Sequence, residues 1–138
     1  DVCSSDLPNL YFLDTGLCSY LTRWNSAETL EVSAMAGQFF ETYVVGEVIK
    51  SYLNAGLRPP LFYYRDTDKR EIDLIVEQNN TLYPVEIKKS ANPGRDAVRH
   101  FSLLEKSGKP IGPGAVICLA SDLLPFGREN YIVPVWLI

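Results

Sequence analysis

Asp73, Glu86 and Lys88 are of the types, and at the spacing, that phosphate-ester chemistry uses. Two carboxylates brought together repel each other and invite a cation, and a nearby amine steadies charge building on a phosphate. Whether they meet depends on the backbone that carries them. Glu71-Ile72-Asp73-Leu74-Ile75-Val76 and Tyr83-Pro84-Val85-Glu86-Ile87-Lys88 alternate apolar and polar residues and are rich in β-branched side chains, as half-buried strands are. If Asn79 and Asn80 between them form a tight turn, Gln78 faces Thr81, Asp73 faces Glu86 and Glu71 faces Lys88. Opposed carboxylates would have Cβ atoms only about 5 Å apart, an arrangement stability alone would avoid. A divalent cation with oxygen ligands resolves it. Magnesium suits the pair best, because it commonly takes one or two protein carboxylates and fills its shell with water and substrate phosphate. The same residues also suit a solvated face on which Lys88 pairs with Glu71, and residue types alone leave both readings open.

The rest of the chain bounds what such a pair can be. With 138 residues, 46% of them hydrophobic, there is material for one domain with a real core. No apolar run approaches the roughly 20 residues needed to span a bilayer, and no basic stretch followed by an apolar one opens the chain. The expectation is a soluble, cytoplasmic protein without a membrane partner. The first residue is Asp1, so the chain is expected to be a piece of a longer protein. Cys3, Cys18 and Cys118 are odd in number and widely spaced, which argues for reduced thiols and against a disulfide framework or a zinc site. The single histidine, His100, excludes a multi-histidine metal centre and reads as an ordinary helix position. Net charge is −4, yet the segment 86–109 holds six basic residues against three acids, so it carries +3 and the remainder −7. Such a segment, with Lys89, Ser90, Arg95 and Arg99 just after the hairpin, either contacts phosphates or forms the wet face of a helix.

The elements expected around the hairpin are a strand at 9–13, a cap at Asp14, a helix at 17–24 and a loop at 25–31. A long helix at 33–54 follows, mostly buried, carrying Glu41 and Glu47 and capped by Gly56. Strands at 61–65 and 70–78 complete a three-strand meander, in which Pro84 calls for a bulge or a non-bonded position. An amphipathic helix at 95–106, with Ala97, Val98, Phe101 and Leu104 inward, then strands at 115–120 and 131–138, finish the chain. The fold class is α/β, a mixed sheet flanked by helices. No phosphate-binding Gly-Lys-Ser/Thr loop is present, since Gly108-Lys109 runs into Pro110.

Asp73 and Glu86-Ile87-Lys88, with Glu41 on a preceding helix, resemble the PD-(D/E)XK nuclease superfamily with its restriction-endonuclease-like core. More narrowly, Tyr11-Phe12-Leu13-Asp14-Thr15-Gly16-Leu17, Gly37-Gln38-Phe39-Phe40-Glu41, Tyr64-Arg65-Asp66, Glu71-Ile72-Asp73 and Val85-Glu86-Ile87-Lys88 resemble the domain of unknown function that ends many bacterial and archaeal predicted AAA+ ATPases. The resemblance implies a nuclease-like domain at 33–138, preceded at 1–32 by an extension that is the end of a truncated winged helix. It further implies Asp73, Glu86 and Glu41 as ligands of magnesium or manganese and Glu41, Asp73, Glu86 and Lys88 as the catalytic set. Lys89, Ser90, Arg95 and Arg99 would touch DNA, and an ATPase module would precede this piece in the full chain. The activity implied is metal-dependent phosphodiester hydrolysis. The alternative is a catalytically inactive nucleic-acid-binding or regulatory module of the ATPase.

Overall fold

Asn79 and Asn80 both adopt left-handed backbone, with φ of 51° and 62°, the conformation a two-residue hairpin turn of type I′ demands. In the computed structural model, which describes residues 10–138, that turn joins β2 (Glu71–Gln78) to β3 (Thr81–Lys88). The register is the expected one: Gln78 opposite Thr81, Ile75 opposite Pro84, Leu74 opposite Val85. A type I′ turn makes Gln78 and Thr81 a hydrogen-bonded pair, and alternation then makes Ile75 and Pro84 a non-bonded one. Pro84 therefore costs this ladder nothing. Its missing N–H faces β4 (Gly114–Cys118), whose parallel ladder with β3 begins only at Val85 and Ala115.

β1 (Leu61–Arg65) pairs antiparallel with β2, and the register slips by one between Phe62 and Tyr64. Asp73 and Leu74 together oppose Tyr63, which is a β-bulge. The extra residue brings Ile72 and Ile75 to one side of the sheet although they are three apart. Both join one core cluster with Leu82, Phe101 and Leu104. β5 (Leu124–Phe126) and β6 (Asn130–Pro134) complete a six-stranded mixed sheet in the order β1-β2-β3-β4-β6-β5. The α/β class and the mixed sheet are as expected, but the short edge strand β5, built around Pro125, was not. The last strand stops at Pro134 rather than running to Ile138, because its partner β4 ends opposite it at Cys118, and Val135–Leu137 close into a 3-10 turn.

The amphipathic segment after β3 is helical, though not as an α-helix. It forms two 3-10 helices, Arg95–Val98 and Phe101–Ser107. Val98, Phe101 and Leu104 recur every third residue, the period of a 3-10 helix, and so all face the core. The ring of Phe101 lies over Gly114, where an added Cβ would fall 2.5 Å from Phe101 Cε2. Phe101 is buried and cannot retreat. Gly114→Ala should therefore lower stability by about 2–3 kcal/mol, read as a fall in the urea midpoint without a change in slope.

Pro60–Leu137 make one compact unit and the described part of Asn9–Pro59 another. In the second unit, α1 (Thr15–Leu21) starts at the Asp14 cap, whose Oδ1 accepts from Leu17 N at 2.9 Å. The expected loop at 25–31 is instead a short helix, α2 (Ala27–Glu31), because Ser26 caps it by accepting from Thr29 N. α3 (Ala36–Asn54) ends as expected. Leu57 N donates to Tyr52 O and Gly56 N to Leu53 O around a left-handed Gly56. α3 is less buried than its composition suggests: Val44 and Val45 are buried, but Tyr43 is 42% and Leu53 53% exposed. Two short helices offer too little surface to cover a 19-residue helix all round. The expected strand at 9–13 is not one over residues 10–13, which run irregularly alongside Gly46 of α3. Asn9, with the first part of the expected extension at 1–32, lies outside the described residues. No helix among the described residues is long and apolar enough to cross a membrane.

Candidate functional site

The β2–β3 ladder stops at Leu74 and Val85. Beyond it, β2 pairs only with β1, at Ile72 and Glu71, and β3 only with β4, through Glu86, Ile87 and Lys88. The sheet forks there. Asp73 sits at the crotch, and its Oδ2 accepts from Ile87 N at 2.8 Å, so a side-chain carboxylate stands in for the backbone carbonyl a continuous ladder would supply. The fork opens a cleft of about 280 Å3. Its strand walls are Glu71, Asp73, Glu86 and Lys88. The β1–β2 turn adds Lys69, and the first 3-10 helix with its following residues adds Asp96, Arg99 and His100.

Sequence and fold thus bring Asp73, Glu86 and Lys88 to one cleft. Glu86 is 8% exposed, the one charged residue among the buried set of the described residues. Lys88 Nζ reaches its Oε1 at 2.5 Å, with the Lys88 side chain still 45% exposed. The pairing of Lys88 with Glu71 is not what forms. Once the ribbon forks, Lys88 no longer stands opposite Glu71, whereas Arg65 does in the β1–β2 ladder and holds it at 3.3 Å. Burial pushes the Asp73 carboxyl above the ordinary carboxylate range; the Ile87 N–H and the Lys88 charge pull it back, and Glu71 pushes it further up. Proton uptake and cation binding at Asp73 compete, so lowering the pH through that raised value weakens any cation held there.

A metal needs a donor set; four carboxylates line the cleft, of which Glu71 is held by Arg65, and Asp73 and Glu86 are the pair expected to bind. Among the described residues no group of three or more His, Cys, Asp or Glu is placed to hold one. Two acids with open space beside them fit magnesium or manganese, which complete their shells with water and phosphate, and do not fit zinc. Glu41 lies on α3 in the other unit, where Tyr11 Oη donates to its Oε1 at 2.8 Å.

Residues 36–138 match the family model described as "Domain of unknown function (DUF4143)". The chain belongs to this family. The chain is similar to an uncharacterized protein of Mycobacterium bovis and one of Mycobacterium tuberculosis, each 34% identical to it over 87 residues. The aligned stretch takes 62% of this chain and 19% of each relative, so the chain spans only a small part of their length. No solved structure matches the chain.

Of the four residues expected to touch nucleic acid, Arg99 lines the cleft. Lys89 and Arg95 are exposed outside its lining, and Ser90 is spent on the loop, its Oγ accepting from Asn92 N at 3.1 Å. Three charged or polar cleft residues escaped sequence reasoning, Lys69, Asp96 and His100. His100 Nδ1 lies 3.0 Å from Glu71 O, a contact across 29 positions that no local pattern announces. Lys69 left a fainter trace, as the last residue of the polar turn before β2.

Proposed function

We propose that this DUF4143 domain is a PD-(D/E)XK-like module that engages a phosphodiester of DNA at the sheet fork and hydrolyses it with magnesium or manganese. The observation that carries the reading is the convergence of Asp73, Glu86 and Lys88 on one cleft. A volume of about 280 Å3 sits just below the roughly 300–1,000 Å3 of small-molecule sites, which suits a phosphodiester and its water. Asp73 and Glu86 would hold the ion, which when bound supplies charge neutralisation on the phosphate and a more acidic attacking water. Lys88, released from Glu86 once that carboxylate is otherwise engaged, faces the phosphate and steadies the charge of the transition state. Asp73 keeps its Ile87 N–H bond through Oδ2, which fixes the carboxylate and leaves Oδ1 for the cleft. The reading rests on these three residues and does not require Glu41. Each relative is much longer than the stretch that aligns, and an ATPase module preceding this domain in the native chain is part of the proposal.

Calorimetric titration of magnesium and manganese into the protein, beside nicking of supercoiled plasmid, tests this. The expected result is cation binding that Asp73→Asn removes, with metal-dependent nicking lost in Lys88→Ala. Absence of both binding and nicking in the unaltered chain would overturn it. One observation favours a second reading, a binding or regulatory module without catalysis: Glu86 and Lys88 already satisfy each other at 2.5 Å. On that reading DNA binding survives Asp73→Ala, or deletion of this domain changes ATP hydrolysis by the full-length protein.

A further inference from the structure

Two of the cations lining the cleft, Lys69 and Arg99, are not paired with any of its acids. Glu71 is engaged by Arg65, Glu86 by Lys88, and Asp73 accepts from Ile87 N. Asp96 folds back on its own turn, its Oδ1 within 2.5 Å of where a Cβ on Gly94 would stand. Among the described residues, no carboxylate forms an ion pair with Lys69 or Arg99. Both line the cleft. Two cations in the cleft with no acid paired to them are open to an anion that comes from outside.

Arg99 is also aimed. Its Nε donates to His100 Nε2 at 3.1 Å, and His100 Nδ1 lies 3.0 Å from Glu71 O. An arginine nitrogen can only donate and a carbonyl can only accept, so the two partners together select the neutral Nδ1–H tautomer. His100 thereby ties the guanidinium to the β2 backbone through Nε and leaves the two terminal nitrogens, the fork that binds phosphate in bidentate fashion, to the cleft. Lys69 holds a left-handed φ of 59° in the β1–β2 turn, a conformation Gly or Asn would take with less strain. Its side chain lines the cleft.

We infer that Lys69 and Arg99, with Arg99 oriented by His100, form an anion subsite for a second phosphate of the nucleic-acid strand whose first phosphate lies at Asp73 and Glu86. This rests on the phosphodiester reading above and adds how the strand is gripped. The second phosphate is either the next one along the strand or a terminal monophosphate, and both present at least two non-bridging oxygens to a guanidinium fork. His100 is a positioning residue here, acting through Arg99.

The test is fluorescence anisotropy of short labelled single-stranded oligonucleotides, with and without a 5′-phosphate, in EDTA over a salt series. With no divalent cation present, the result is independent of whether Asp73 and Glu86 hold an ion, so a failed metal titration and a failed subsite give different patterns. Arg99→Ala and Lys69→Asn, the latter chosen because Asn keeps the turn, should each weaken binding about tenfold and each lower the salt slope by about 0.7. His100→Leu should reproduce the Arg99→Ala loss and add nothing to it in the double variant, while His100→Gln, whose amide can both accept from Arg99 and donate to Glu71 O, should restore binding. Arg128→Ala, at an exposed arginine outside the cleft lining, should bind as the unaltered chain does. Preference for the phosphorylated strand assigns the subsite to a terminal phosphate and equal binding to an internal one. Failure of the unaltered protein to bind either strand at low salt, or unchanged affinity and slope in both Arg99→Ala and Lys69→Asn, would overturn the inference.

Discussion

Lys88→Met should make the metal-free protein less stable and its divalent-cation dependence stronger at the same time. Glu86 is buried, and its Oε1 lies 2.5 Å from the Lys88 amine. Removing one partner of a buried pair leaves a desolvated charge, worth about 3–5 kcal/mol where both partners are enclosed. Lys88 is 45% exposed, so solvent screens the pair and about 1–2 kcal/mol is the expected loss. In the same variant the Glu86 oxygen no longer exchanges one cation for another. Magnesium or manganese should then raise the melting temperature of Lys88→Met more than that of the unaltered chain, while nicking falls by at least about 100-fold if Lys88 steadies the phosphate charge. Thermal melts over a cation series, run beside the plasmid assay, read both quantities. A variant that binds no cation and melts as before would show that Glu86 and Lys88 are a surface ion pair and nothing more.

Asp73→Asn should shift stability the other way. The Asp73 carboxyl is raised above its ordinary value chiefly by burial, so ionising it is costlier in the folded chain than in the unfolded one. A raised folded pKa means the contribution of Asp73 to stability is complete below the unfolded carboxyl value of about 3.9 and is lost as pH rises through the folded value. At neutral pH the aspartate is thus a burden that asparagine removes, and the amide oxygen can still accept from Ile87 N. The expected result is a gain in melting temperature over the unaltered chain at pH 7. Near pH 3.5 the gain should vanish, because both side chains are then neutral in the folded state. The same variant should lose the cation response entirely. Stabilisation accompanied by loss of ligand binding is the signature of a residue held in a costly state for function. Asp73→Asn that is destabilised at neutral pH would instead make Asp73 a structural staple of the fork.

The two predictions have opposite signs although the residues share one cleft, and the reason is local. Glu86 is deeper but paired with an amine, whereas at Asp73 burial outweighs the Ile87 N–H bond and the pull of Lys88, and a like charge, Glu71, lies close by. A purely structural cluster would be expected to lose stability at every member. One member that gains is what separates a site from a brace.

How much of this was legible in the chain itself follows from which interactions are local. Asn79 and Asn80 tolerate left-handed backbone, and the alternation on either side admits one register without turning the apolar face outward, so β2, β3 and their pairing were determined by neighbours in sequence. The Asp14 cap and the Gly56 helix end are local in the same sense. Ser26 shows the limit even there, since a five-residue helix has too little periodicity to announce itself. What tertiary structure decided was where the hairpin stops being a hairpin. β1 and β4 draw the two strands apart beyond Leu74 and Val85, and only that fork makes Asp73 bond across to Ile87 N, turns Lys88 from Glu71 to Glu86, and gives the cleft its wall of Lys69, Arg99 and His100. Those partners lie far apart in the chain, and no period of the sequence encodes a distance closed by the packing of other strands.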